Sequence, residues 1–161
     1  RSVSFLPPWY TWDSGVEDTL SRGGVKYIQG LVIQQVPTGR FGHYKRKYHY
    51  SGSRNAFGQH YLIRNCFFEP SLSANADEVD KCLARIAIAF RWHKPAIISS
   101  HRINYIGAID SDNRSNNLKK LKQLLRTIIR KWPDVEFLTT DKLGDLIVND
   151  DNSGLYRATR S

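Results

Sequence analysis

The sequence predicts an α/β fold, because short apolar runs alternate with amphipathic helical segments and several of those runs end in polar or aromatic residues. No glycine-rich phosphate fingerprint follows any apolar run, which removes the main support for a nucleotide-binding sheet. About five strand signals separated by helices suit either a small doubly wound sheet or half of a (β/α) barrel, which normally needs well over ~200 residues. At 161 residues, with 40% hydrophobic and 12% aromatic content, the chain can bury an ordinary core as one structural unit.

Taken in order, segment 2–6 reads as a strand stopped by Pro7 and Pro8, since proline lacks the donor a ladder needs. Ser14 with Glu17 three residues on resembles a capping box, and Gly23 and Gly24 end the short helix it starts. Val25 to Ile28 is a second strand. Leu31 to Gln59, rich in Gly, Tyr and basic residues, reads as a long excursion that includes hairpins, the kind of loop that is usually functional or mobile. Tyr61 to Phe68 is a third strand, closed by Glu69 and Pro70.

Helix 76–92 shows Val79, Leu83, Ile86, Ala87 and Phe90 at helical spacing. Pro95 to His101 is a short apolar run ending in polar groups, as expected of a strand buried on both faces. Ser115 or Asn116 caps the next helix, whose Leu118, Leu121, Leu124, Leu125, Ile128, Ile129 and Trp132 make one broad stripe before Pro133 stops it. Val135 to Leu138 is a last strand, and Thr140 caps a final helix to about Val148. Residues 1–148 are thus expected to form a single domain, with 149–161 a polar, loose tail.

No apolar run reaches the roughly 18 residues a membrane helix needs. Cys66 and Cys82 lack zinc or redox spacing and read as two unlinked buried thiols. The net charge of +9 and pI near 9.7 suit an anionic partner. Its bland explanation is a solvated helix face at Lys119, Lys120, Lys122, Arg126, Arg130 and Lys131 plus a basic loop at Lys45–Lys47. Tyr44 and Tyr48 interleave with that loop, which would also suit nucleic acid, although no established nucleic-acid motif supports it.

The strand ends carry the chemistry. His101 follows the buried run, so its imidazole stands at a rim where a proton can be exchanged near neutral pH, beside Arg102, Asn104 and Tyr105. A hydrogen-bonded structural histidine is the bland alternative. Arg64, inside an apolar strand, needs a partner such as Glu69 or a carboxylate outside this chain. Trp9, Tyr10 and Trp12 fit either a sugar platform or the core. Glu69 is also a candidate glycosidase carboxylate, with Asp13 or Asp110 as its second.

Segment Pro95–Gly107, PAIISSHRINYIG, with NLKKLKQLLRTIIRKWPDVEFLTTDKLGDLI downstream, resembles the end of bacterial polysaccharide deacetylase-like proteins, and the opening SFLPPWYTW is similar to their middle motif. The resemblance implies the C-terminal half of a distorted (β/α) barrel that deacetylates N- or O-acetylated sugars. It implies a divalent metal, commonly zinc, held by an aspartate and two histidines. Neither the H-x-x-x-H pair nor a T-F-D-D-like motif occurs here, so the metal site is expected upstream of Arg1, with none in this segment, and the segment alone is expected to be inactive.

By the same resemblance His101 is the general acid on the leaving group, and Pro8 and Trp9 match the middle motif; these two, with Trp12, Glu69, Arg102, Asn104 and Tyr105 from their place at the strand ends, are the substrate-binding candidates. The family's arginine before that proline is replaced by Leu6 and Pro7, so Arg64 becomes the candidate substitute. Partners implied are a carbohydrate substrate and the missing N-terminal half, with an extracytoplasmic location. The competing readings are a glycosidase using Glu69 and a non-catalytic glycan or nucleic-acid binding module.

Overall fold

A computed structural model describes residues 3–72, 77–108 and 110–153. The fold is mixed α/β with small parallel and antiparallel sheets. Two compact units divide it, Arg1–Ile63 with Leu138–Ser161, and Arg64–Phe137.

The first unit is built on a three-stranded parallel sheet. Its strands are β1 (Ser4–Phe5), β2 (Tyr27–Gly30) and β5 (His60–Ile63), in that spatial order, with Tyr27 opposite both Ser4 and His60. Parallel neighbours need a crossover, and helix α1 (Ser14–Arg22) supplies it between β1 and β2. The long excursion contains the expected hairpin, β3 (Ile33–Pro37) against β4 (Tyr44–Tyr48), turned through a loop in which Gly39 and Gly42 take positive φ. Trp12, Ile28, Tyr61 and Ile63 form the apolar core. Helix α4 (Thr140–Ser153) also belongs here, and its Gly144 lies under the Tyr27 ring so closely that a Cβ would come within 2.6 Å of it.

The second unit has a parallel pair, β6 (Cys66–Phe67) and β7 (Ile98–Ser99), linked through helix α2 (Glu78–Arg91) and followed by helix α3 (Ser111–Lys131). Cys66, Phe68, Val79, Cys82, Leu83, Ile86, Leu124 and Ile128 make its core. Phe90 and Trp132 meet edge to face at 5.1 Å. Both cysteines are free, as expected, and burial pushes their thiols up, Cys66 to about 12 and Cys82 to about 11.

Several elements differ from the sequence expectation for identifiable reasons. The run 61–68 is two strands in two units. Asn65 breaks it by turning its side chain to donate to the Pro95 carbonyl (3.0 Å) and accept from the Ile97 amide (2.8 Å). Helix starts lie upstream of the expected caps. Asp13 caps α1 in place of Ser14, Asp110 caps α3 in place of Ser115 or Asn116, and Thr139 Oγ1 accepts from Lys142 N at the start of α4 in place of Thr140. The α3 stripe is narrower than expected, with Leu118 and Ile129 exposed. Residues Val135–Leu138 form no strand, and Phe137 and Leu138 are both exposed instead of alternating across a sheet. Helix α4 continues past Val148 to Ser153, and residues 154–161 of the expected tail lie outside the described residues.

Candidate functional site

Strands β6 and β7 run in the same direction with Phe67 opposite Ser99, so the chain leaves both at the same end. Two residues beyond those partners stand Glu69 and His101. Glu69 Oε1 and His101 Nδ1 are 2.8 Å apart. The His101 side chain is 65% exposed and that of Glu69 only 13%, so the carboxylate lies beneath an imidazole at the surface. A carboxylate can only accept, which makes Nδ1 the hydrogen-bearing nitrogen and directs Nε2 elsewhere. Among the described residues no hydrogen bond engages Nε2.

The local backbone fixes this geometry. His101 is extended (φ −84°, ψ 146°) and precedes a 3-10 turn, Arg102–Tyr105. Asn104, fully buried in that turn, donates from Nδ2 to Glu69 Oε2 (2.7 Å) and to the His101 carbonyl (2.9 Å), and its Oδ1 accepts from the Ser71 amide (3.0 Å). The His101 amide adds a long contact to Glu69 Oε2 at 3.4 Å. One buried amide therefore ties the carboxylate and the histidine backbone together, and a buried polar group so satisfied holds its neighbours in place.

A further layer comes from the start of α3. Asn117 Nδ2 donates to the Asn104 carbonyl, to Ser71 Oγ and to Asn113 Oδ1, each at 2.9 Å. Asn113 Nδ2 reaches the carbonyls of Ile103 (3.1 Å) and Ile106 (3.0 Å), and Ser71 Oγ donates to Asn113 Oδ1 (2.8 Å). Asn113 and Asn117 sit four apart on one helical face. The cap expected at Ser115 or Asn116 places Asn113 in a loop, so the sequence pattern does not pair it with Asn117. The spacing itself was visible.

No family model matches the chain, and no curated protein or solved structure matches it.

The remaining candidates divide between the units. Tyr105 joins the His101 cluster through a 2.8 Å bond between its hydroxyl and Ser100 Oγ, and burial raises its pKa. Arg102 is exposed on the same turn. Arg64 precedes β6, at the end of the strand pair opposite to Glu69 and His101, and Glu69 bonds to His101 and Asn104 in place of the expected arginine. Pro8, Trp9 and Trp12 belong to the first unit. Trp9 is 91% exposed and held at φ 52°, a left-handed conformation costly for a non-glycine residue. Trp12 is core, its Nε1 donating to Glu17 Oε1 at 2.9 Å.

That bond opens a second polar cluster, within the first unit. Buried Glu17 also accepts from the Tyr61 hydroxyl (2.8 Å) and Asn55 Nδ2 (3.0 Å), which explains why it does not close the capping box expected with Ser14. His49 stacks on Tyr61 with ring centroids 3.7 Å apart and meets Gln34 Oε1 at 2.6 Å. Burial first, and the Lys47 charge second, lower its pKa to about 4.

Among the described residues no group of three or more His, Cys, Asp or Glu is placed to hold a metal ion, and no helix is long and apolar enough to cross a membrane.

Proposed function

We propose that the chain is the C-terminal half of a (β/α)-barrel hydrolase of the polysaccharide deacetylase type, acting on N- or O-acetylated glycans with His101 as general acid. The observation that carries this reading is the Glu69–His101 pair at the shared end of two adjacent parallel strands, with Nε2 left for a substrate. Strand C-terminal ends are where α/β barrels and open sheets keep their chemistry. The resemblance at Pro95–Gly107 supplies the substrate class. The described residues group into no metal site, so the proposal assigns the divalent metal, zinc by resemblance, to the N-terminal half and routes no step through it.

In the proposed step a tetrahedral adduct of the acetyl group collapses. Protonated Nε2 of His101 gives its proton to the leaving amine nitrogen or alcohol oxygen as the bond from the acetyl carbon to that atom breaks. The products are acetate and a free sugar amine or hydroxyl, and the imidazole is left neutral. Glu69 holds the ring so that Nε2 points outward, and it is itself held by Asn104. With Oε1 on His101 and Oε2 on Asn104, Glu69 serves as a positioning residue, a role that competes with the glycosidase alternative.

Acetate release by the full-length protein from N-acetylated chitooligosaccharide and from acetylated xylan tests this. His101→Gln should lower kcat by about 10² to 10⁴, the usual range for a general acid. Undiminished acetate release in that variant, or none from the unaltered protein on either substrate, would sink the proposal. An upstream sequence without an aspartate and paired-histidine motif would remove its metal-dependent part.

A further inference from the structure

From Thr19 to Ile63 the sequence holds seven Lys and Arg and no Asp or Glu. Such segregation favours a positive local surface along this stretch of chain. In the first unit β4 displays part of it: Tyr44, Lys45, Arg46, Lys47 and Tyr48 are all exposed. Beside the strand lies an open cavity of about 400 Å³ whose wall includes Lys47, Tyr48, Tyr50, Arg54, Asn55 and Phe57. That volume is in the range of small-ligand clefts.

Three features distinguish this cavity from an ordinary basic surface. First, its cations are uncompensated: among the described residues neither Lys47 nor Arg54 forms an ion pair. The carboxylate on the wall, Glu17, is 2% exposed and already engaged by Trp12, Tyr61 and Asn55. Second, aromatic faces are left in water, Tyr48 at 57%, Tyr50 at 70% and Phe57 at 41% exposure. Third, the loop is set in advance. Asn55 Oδ1 accepts from the amides of Phe57 (3.0 Å) and Gln59 (2.9 Å), and Ser53 Oγ donates to the Tyr50 carbonyl (2.7 Å). A prefixed loop saves ordering cost on binding.

We propose that this cavity binds an anionic pyranose unit of a polysaccharide, its carboxylate or sulfate taken by Lys47 and Arg54 and its ring stacked on Tyr48 and Tyr50. Cations answer the charge, and the amphipathic tyrosines offer an apolar face to the ring C–H groups with a hydroxyl for its rim. Lys45 and Arg46, farther along the exposed strand, add attraction for the rest of an acidic chain. Single-stranded nucleic acid fits less well, because it is held by an extended groove that neutralises a run of phosphates and stacks successive bases. A cavity of this size holds one or two rings.

The test is calorimetric titration of the full chain with trigalacturonate, its methyl ester, a heparin-derived tetrasaccharide and a dodecamer of oligothymidylate. At least one acidic saccharide should bind, and which one names the anionic group. The methyl ester, with the same rings and no charge, should bind at least about tenfold more weakly than trigalacturonate if the group is a carboxylate. Lys47→Gln and Arg54→Gln should each weaken the acidic saccharide by about tenfold or more, as loss of a charged hydrogen bond does. Lys119→Gln, the same charge change on α3, should alter it less than about twofold. His101→Gln should leave it unchanged, which separates this site from the acid proposed above. The proposal is overturned if neither acidic saccharide binds, if Lys119→Gln weakens binding as much as Lys47→Gln, or if oligothymidylate binds more tightly than both saccharides.

Discussion

His49 and His101 make a controlled comparison within one chain. In each, one ring nitrogen meets a side-chain oxygen at hydrogen-bond distance, Gln34 Oε1 at 2.6 Å from Nε2 of His49 and Glu69 Oε1 at 2.8 Å from Nδ1 of His101. Their surroundings are opposite. His49 is 3% exposed and stacked against Tyr61 and Trp12, whereas the His101 side chain is 65% exposed above a nearly buried carboxylate. For His49 burial, with the Lys47 charge beside it, outweighs the attraction of the Glu17 carboxylate, which disfavours the charged ring and makes it a packing group. Exposure over a fixed acceptor leaves one nitrogen to work on a substrate. What selects a catalytic candidate is therefore the exposure of the second nitrogen, a property that residue identity alone does not carry.

If the His49 cluster is structural, the largest effect should come from its carboxylate. Glu17→Ala would leave the Trp12 indole, the Tyr61 hydroxyl and the Asn55 amide without their shared acceptor. Stranding the buried Trp12 and Tyr61 donors should cost about 2 to 5 kcal/mol, at about 1 to 3 for each buried group left unpaired, while Asn55 keeps its bond to Gln59; the loss is read as a lowered denaturant midpoint. A loss under about 1 kcal/mol would show that the cluster is not what holds the first unit together.

The next effect is one of pH. His49 has its pKa lowered from 6.5 to about 4, so above pH 6.5 it is neutral folded or unfolded and no stability is lost. As pH falls from 6.5 towards 4 the unfolded chain takes up a proton that the folded chain refuses. Stability should drop across that window by up to about 3 kcal/mol and level off below it. His49→Gln should flatten the difference between pH 7 and pH 4.5 relative to the unaltered chain, and identical pH profiles for the two would break the comparison from this side.

The same contrast shows how far the sequence could be read. The alternation of apolar run and helix was legible, as were the hairpin in the long excursion and His101 beyond the end of a buried run, because each depends on local pattern. Glu69 is legible as an important group, but its sequence neighbourhood offers Arg64 or a glycosidase role for it and does not reveal the bond to His101. The pairing of Glu69 with His101 depends on β6 and β7 lying side by side, and the break at Asn65 that creates β6 comes from contacts with Pro95 and Ile97, about thirty residues away. The buried role of Glu17 was hidden because Ser14 and Glu17 satisfy a capping pattern equally well on paper. Tertiary donors decided between the two uses.

On the His101 side, Glu69→Gln should lower kcat of the full-length protein by about 10- to 100-fold with KM nearly unchanged. The amide can still accept from Nδ1, but its NH₂ then faces the Asn104 donor, so the ring loses its fixed aim rather than its substrate. A matched rise in KM with constant kcat would instead make Glu69 a binding group, and the comparison would lose its catalytic member.

The smallest effect probes the layer beneath. Asn117→Ala removes the donor to the Asn104 carbonyl and to Ser71 Oγ, with Asn104 standing between it and both Glu69 and the His101 carbonyl. Stability should fall by about 1 to 2 kcal/mol, since a buried carbonyl is left unpaired. The catalytic consequence should be only a few-fold in kcat, because Asn104 keeps its bonds to Glu69 and to the His101 carbonyl through its own side chain. Asn104→Ala, which cuts those bonds directly, should cost more in kcat than Asn117→Ala at equal loss of stability. If the two variants lose kcat only in proportion to stability, Asn104 is a structural amide and the fixed aim of His101 comes from Glu69 alone.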